Sequence, residues 1–158
     1  ETTNIQRNTP RLKSTAFISA SESERQHIAQ EGIFEALLVK NGRILEGMTS
    51  NFFYMMNAPD SSAQCEDLLT AQSDVLFGVT RKTVIHLARG RGLDVKYRSL
   101  KLDQLSDVNE AFITSSSRGV VPVIQIDDVM VGQGRPGRIT RMLMSAYDEY
   151  VLENAEKI

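Results

Sequence analysis

Ile33-Phe34-Glu35-Ala36-Leu37-Leu38-Val39, then Lys40, then Asn41-Gly42, then Arg43-Ile44-Leu45, is the stretch that decides the fold. Two apolar runs meet across Asn-Gly, the dipeptide best suited to the paired positive-φ positions of a two-residue hairpin turn. The reading is an antiparallel hairpin over 33–45. Downstream, 51–56 is a third strand, and 57–67, with Pro59 and a serine pair, is a polar loop. In 79–91, Thr80, Val84, Leu87 and Ala88 share one helical face. Short strands are expected at 95–98, 111–114 and 121–126, with Asp127-Asp128 turning the chain into 129–131. The last segment has the clearest period: Ile139, Met142, Leu143, Ala146, Tyr147, Tyr150 and Val151 follow the 3, 4 spacing of one helical stripe.

Upstream of the hairpin, 13–31 has a helical composition that ends at Gly32, with Ser21 or Ser23 as the candidate N-cap. Residues 1–12 are polar, and Pro10 biases its predecessor towards extended backbone, so this segment reads as a connector. Strands and helices are interspersed without the regular alternation of a doubly wound sheet. The expected fold class is therefore mixed α/β (α+β), with helices packed on a largely antiparallel or mixed sheet.

Composition narrows the class of function. The 158 residues, 41% of them hydrophobic, are enough for one domain with its own core. Eighteen basic residues against 20 acidic ones give a net charge of -2, with no basic field for nucleic acid. A small-molecule partner is expected instead. Cys65 has no mate for a disulfide, which suits a reducing compartment. No apolar run approaches the roughly 20 residues that span a bilayer, and no signal pattern opens the chain, so cytoplasm is the expected location, or an organelle interior if a targeting segment was removed.

Three segments place polar residues at the ends of apolar elements: Glu46-Gly47-Met48-Thr49-Ser50-Asn51, Gly78-Val79-Thr80-Arg81 and Thr114-Ser115-Ser116-Ser117-Arg118-Gly119. Such positions are where a scaffold presents functional groups. Glu46, leaving the second hairpin strand, can pair with a cationic ring nitrogen; read alone, it is more simply a solvated turn residue. Gly78-Val79-Thr80 opens a helix, where free N–H groups and the dipole favour an anion, although an ordinary helix start reads the same way. The serine run can offer hydroxyls and N–H groups to a phosphate or form only a turn. A lysine attacks carbonyls only when deprotonated, and Lys13, between Arg7 and Arg11 on one side and Phe17 on the other, is by itself an unremarkable exposed lysine. His27 reads as a surface residue and His86 as part of the 79–91 helix, with no metal site or triad.

Taken in order, these segments resemble the class IV aminotransferases, the fold-type-IV family that depends on pyridoxal 5′-phosphate (PLP). The resemblance runs through Pro10 to Ser14, Phe34 to Val39, Leu45-Glu46-Gly47, Ser50-Asn51-Phe52-Phe53, Leu68-Leu69-Thr70 and Leu76 to Arg81. It continues through Asn109 to Phe112, the serines, Val121-Pro122-Val123 and Gly134-Arg135-Pro136-Gly137 before Thr140. It implies amino-group transfer between an amino acid and a 2-oxo acid, or the related lyase chemistry of aminodeoxychorismate lyase. Lys13 would bond the cofactor and shuttle the proton between the substrate α-carbon and the cofactor C4′. Glu46 would keep the pyridine nitrogen protonated, and Leu76 would pack on a cofactor face. Val79, Thr80, Ser115, Ser116 and Ser117 would bind the phosphate, and Arg7 would approach the phenolic oxygen.

Two departures stand out. Branched-chain members carry Asn-Tyr shortly after the lysine where this chain has Ser14 to Phe17, and family members often show Thr-Pro where it has Thr70-Ala71. The resemblance also implies a smaller N-terminal domain ahead of the lysine and a homodimer. The chain opens on Glu1, only about a dozen residues before Lys13. The expected layout is therefore a connector at 1–12 and a C-terminal PLP-binding domain at 13–158, the chain being a fragment without that smaller N-terminal domain. A fragment of this kind is expected either to contribute to the enzyme or to persist as a folded, inactive domain.

Overall fold

The computed structural model describes residues 1–7, 9–56 and 67–155. In chain order the elements are β1 (Thr2–Thr3), α1 (Ala16–Ala20), α2 (Glu22–Glu31), β2 (Leu37–Lys40), β3 (Arg43–Gly47), β4 (Asn51–Met56) and β5 (Leu68–Thr70). Then follow α3 (Val79–Gly90), β6 (Val95–Tyr97), β7 (Leu100–Lys101), a 3-10 helix (Leu102–Asp107), β8 (Val108–Ser115), β9 (Gly119–Val123), β10 (Gln125–Ile126), β11 (Val129–Met130) and α4 (Arg138–Asn154).

The hairpin forms as expected, with Asn41 at φ 52° and Gly42 at φ 69° between β2 and β3. Its first strand starts at Leu37 rather than Ile33, and Phe34 is left 65% exposed. Among the described residues nine strands join one sheet, mostly antiparallel, with parallel pairs at β1·β2 and β5·β6. The second parallel pair is bridged by α3, an ordinary βαβ crossover. Fold class is therefore mixed α+β with a mixed sheet, as the sequence implies.

The sheet forks beside Glu46. Strands β3 and β4 share the single register pair Glu46↔Asn51; beyond it β3 continues against β7 and β4 against β5. On its other edge β4 pairs with β8 from Asn51↔Thr114 onwards. Alternation along β4 then separates two cores. Phe52 and Tyr54 join Leu37, Ile44, Leu100 and Ile113 on one face. Phe53 and Met55 join Phe112, Val84, Ile139 and Leu143 beneath α3 and α4 on the other. A third, smaller cluster sets Phe17 of α1 against Ala36, Leu38 and Met48.

Several expectations are corrected. The helical composition over 13–31 resolves into α1 and α2; Ser21 takes the N-cap position of α2, as one of the two expected candidates, but its hydroxyl donates back to the Phe17 carbonyl at 2.7 Å and makes no cap bond to α2. Thr2–Thr3, read as polar approach, pair in parallel with Leu37 and Leu38. The strand expected at 121–126 is two strands, β9 and β10, and β5, β7 and the 3-10 helix had no periodic signal because each is so short. In α4 the stripe is buried at Ile139, Leu143 and Ala146, but Tyr150 and Val151 are exposed. The loop expected at 57–67 lies, apart from Asp67, outside the described residues.

Candidate functional site

The fork of the sheet is where the candidate residues converge. A polar side chain at the first position of an otherwise apolar strand, Asn51, turns towards the α3 face, and its cross-strand partner Glu46 does the same. The Glu46 carboxylate is 1% exposed. Its Oε1 accepts from Arg7 Nε at 2.8 Å, and its Oε2 accepts from Asn51 Nδ2 at 3.1 Å and from the Leu76 amide at 2.9 Å. An ionised carboxylate has roughly four acceptor positions, so one on Oε1 is left for a further N–H. Burial pushes the Glu46 carboxyl up to about 7, against the opposing pull of Arg7 and the Leu76 amide.

Arg7 is engaged by this carboxylate. Its Nη2 donates to the Met48 carbonyl at 2.7 Å, and its guanidinium carbon lies 4.0 Å from the Phe17 ring centroid. Leu76 is tied on both backbone sides: its carbonyl accepts from Asn51 Nδ2 at 2.7 Å while its amide bonds Glu46. Two residues on, Gly78 is the N-cap of α3, with extended backbone and no side chain closing the helix start. The N–H groups of the first turn are therefore free of a side-chain cap, the condition for anion binding. Val79 there is 76% exposed and Thr80 3% exposed.

The serine turn approaches from the other side. Ser115 pairs with Gly119 at the end of the β8–β9 hairpin, while Ser116 and Ser117 form its exposed tip. Arg118 fastens this turn: it donates to Glu35 Oε2 at 2.7 Å, to Thr49 Oγ1 at 2.6 Å and, through Nε, to Ser115 Oγ at 3.3 Å. Glu35 also accepts from Thr49 Oγ1 at 2.7 Å and Ser50 Oγ at 3.2 Å, so one carboxylate joins the β3–β4 and β8–β9 turns. Thr114, 2% exposed and directly across β4 from Asn51, has a buried hydroxyl without a partner among the described residues.

Lys13 is exposed, and its segment is pinned at both ends beside these groups. On one side the Arg11 guanidinium lies 5.1 Å from the ring of Phe77, the neighbour of Leu76; on the other Phe17 packs under Arg7. The structure thus joins Arg7, Glu46 and Leu76 by direct hydrogen bonds, sets Val79 and Thr80 at the start of α3 just beyond, and leaves Lys13, Ser116 and Ser117 exposed. None of these residues lines the larger described cleft, about 900 Å³, which lies among Phe34, Leu37, Ile113, Val121 and Asp127. Hydrogen-bonding geometry specifies chemistry and volume alone does not, so the convergent polar groups mark the site. Asn51, Thr114 and Glu35 were not singled out individually from the sequence; a polar residue inside an apolar strand was the available signal for the first two. Among the described residues no metal-binding cluster occurs, and no helix is long and apolar enough to cross a membrane.

Comparison with known proteins places this geometry in a family. The pattern of the amino-transferase class IV family matches residues 1–126. The chain is 30% identical over 133 residues to D-alanine aminotransferase of Bacillus licheniformis, covering 84% of this chain and 45% of that one. It is 30% identical over 154 residues to aminodeoxychorismate lyase of Bacillus subtilis, covering 93% and 49%. The crystal structure of the branched-chain amino acid aminotransferase from Thermobaculum terrenum in its PLP (holo) form superposes with a TM-score of 0.80 at 30% identity, covering 96% of this chain and 48% of that one. The chain spans about half the length of these relatives. With a family pattern over most of its length and the matching fold, the chain belongs to the class IV aminotransferases.

Proposed function

We propose that residues 13–158 are the cofactor-bearing C-terminal domain of a PLP-dependent aminotransferase, with 1–12 leading in from a smaller N-terminal domain, in an enzyme that works as a cytoplasmic homodimer on amino acids and 2-oxo acids. The observation that carries this reading is Glu46: a fully buried carboxylate with one acceptor position unfilled, beside an uncapped helix start. A phosphorylated pyridine needs these two features together, an acceptor for its ring N–H and a cluster of free N–H groups for its phosphate. The unpartnered Thr114 hydroxyl adds a buried donor in the same region.

Bound PLP supplies an electron sink for charge developing at the substrate α-carbon. Glu46 Oε1 would accept the ring N–H and keep it protonated, and the Arg7 guanidinium favours the ionised carboxylate that this requires. Leu76, its backbone held by Glu46 and Asn51, would pack on a ring face. The amides of Val79 and Thr80, the Thr80 hydroxyl and Ser115, Ser116 and Ser117 would hold the phosphate. Lys13 would hold the cofactor covalently, its amine condensing with the aldehyde carbon and releasing water, and once freed that amine would carry the proton to and from the substrate α-carbon.

The likeness to aminodeoxychorismate lyase over 93% of the chain keeps elimination as the second reading. Incubation with PLP, an amino acid and 2-oxoglutarate tests the proposal: amino transfer that disappears in Lys13→Ala supports it. Pyruvate release from aminodeoxychorismate without amino transfer supports the lyase. Absence of both, with the cofactor bound, marks the isolated chain as an inactive domain.

A further inference from the structure

The proposed phosphate site has two flanks, the start of α3 and the β8–β9 turn, which belong to elements that are not hydrogen-bonded neighbours in the sheet. One side chain of α4 contacts both. The Tyr147 hydroxyl lies 3.4 Å from Thr80 Oγ1, and its ring packs on Gly119 so closely that a Cβ there would meet Cε1 at 3.1 Å and Cδ1 at 3.2 Å. Gly119, at φ 66°, follows Arg118 directly and pairs with Ser115. Space for the tyrosine ring is thus made by a missing side chain in the serine turn.

We infer that Tyr147 is a positioning residue for phosphate, turning the Thr80 hydroxyl towards the ligand and holding the serine turn against the same end of α3. The inference rests on the proposed PLP reading. A threonine hydroxyl is a rotor with one proton; when a phenol donates to its oxygen, that proton is directed elsewhere, and each bond in such a chain strengthens the next. Thr80, 3% exposed, is almost closed to water, so Tyr147 is the polar group near enough to set its direction. The stripe position of Tyr147 on α4 concealed this role, because its ring also packs beside Leu143 and Ile139 as a core aromatic would.

The test compares PLP with pyridoxal, which lacks the phosphate, by borohydride-trapped occupancy of the 158-residue chain. Tyr147→Phe keeps the ring and its packing. It is expected to weaken PLP about three- to tenfold, the range of one neutral hydrogen bond, and to leave pyridoxal unchanged. Adding it to Thr80→Val is expected to cause no further loss, since both variants break one chain of bonds. Equal PLP affinity in wild type and Tyr147→Phe, equal weakening of PLP and pyridoxal, or additive losses in the double variant would overturn the inference while leaving the PLP reading intact. A wild-type chain that takes up neither ligand overturns that reading, and this inference with it.

Discussion

The Leu76 amide donates to Glu46 Oε2 at 2.9 Å, joining the exit of the hairpin to the approach of α3 across 30 residues of sequence. This bond makes Glu46 part of the helix entrance as well as of the strand, and it accounts for a carboxylate buried in the fork of the sheet. Burial nevertheless dominates the proton equilibrium, and the carboxyl is raised from 4.5 to about 7.

That shift has a definite sign. Between about 4.5 and 7 the folded chain keeps a proton that the unfolded chain has released, so the stability contributed by Glu46 is full below about 4.5 and is lost as pH rises through 7. The whole effect is on the order of 3 kcal/mol. Glu46→Gln does not titrate. Urea unfolding at pH 5 and pH 8 should therefore show the variant gaining on wild type at the higher pH. Parallel behaviour of the two proteins would contradict this.

Glu110 caps α4 from a distance. Its carboxylate, 7% exposed on β8, accepts from the Ile139 amide at 3.2 Å and the Thr140 amide at 2.7 Å, because the N-cap Gly137 has no side chain to do so. A Cβ on Gly137 would fall inside that carboxyl. Glu110→Ala should lower unfolding free energy by about 1 to 3 kcal/mol, and Gly137→Ala should be destabilising at the same place. Denaturant midpoints check both, and a change within ~0.5 kcal/mol for Glu110→Ala would contradict the capping role.

The Glu35–Arg118 pair should behave differently, since Arg118 keeps 29% of its side chain in water. Glu35 keeps only 8%, but it retains the Thr49 and Ser50 donors when Arg118 is removed, so little global stability is at stake. Arg118→Ala should cost about 1 kcal/mol or less, yet free the two turns that Arg118 and Glu35 join. Hydrogen exchange is expected to quicken at residues 48–50 and 115–119 with little change in α3; uniform quickening throughout the chain would refute a local clamp.

Much of the fold could be read from local patterns. Asn41-Gly42 set the hairpin, the run from Asn51 to Met56 marked β4, and the Ile139, Leu143, Ala146 spacing set α4. The elements that escaped were those whose stability is tertiary: β1, β5 and β7 are two or three residues long and exist because a neighbouring strand supplies their hydrogen bonds. The site was legible as a set of residue types at element ends, Glu46, Thr80 and Ser115 among them. Its wiring was not. Asn51 bridging Glu46 to Leu76, and Tyr147 reaching Thr80, depend on the register of β3 on β4 and on the packing of α4 over α3, neither of which local sequence encodes. Arg7 illustrates the same point: the resemblance directs it to the cofactor's phenolic oxygen, and in the fold it is bonded to Glu46.

Covalent trapping tests the central claim most directly. The chain is incubated with PLP, reduced with borohydride, digested and mapped by mass spectrometry. The account predicts one reduced cofactor adduct, on Lys13, lost in Lys13→Ala and diminished in Glu46→Gln. An adduct spread over the surface lysines, or one that persists in Lys13→Ala, would contradict it.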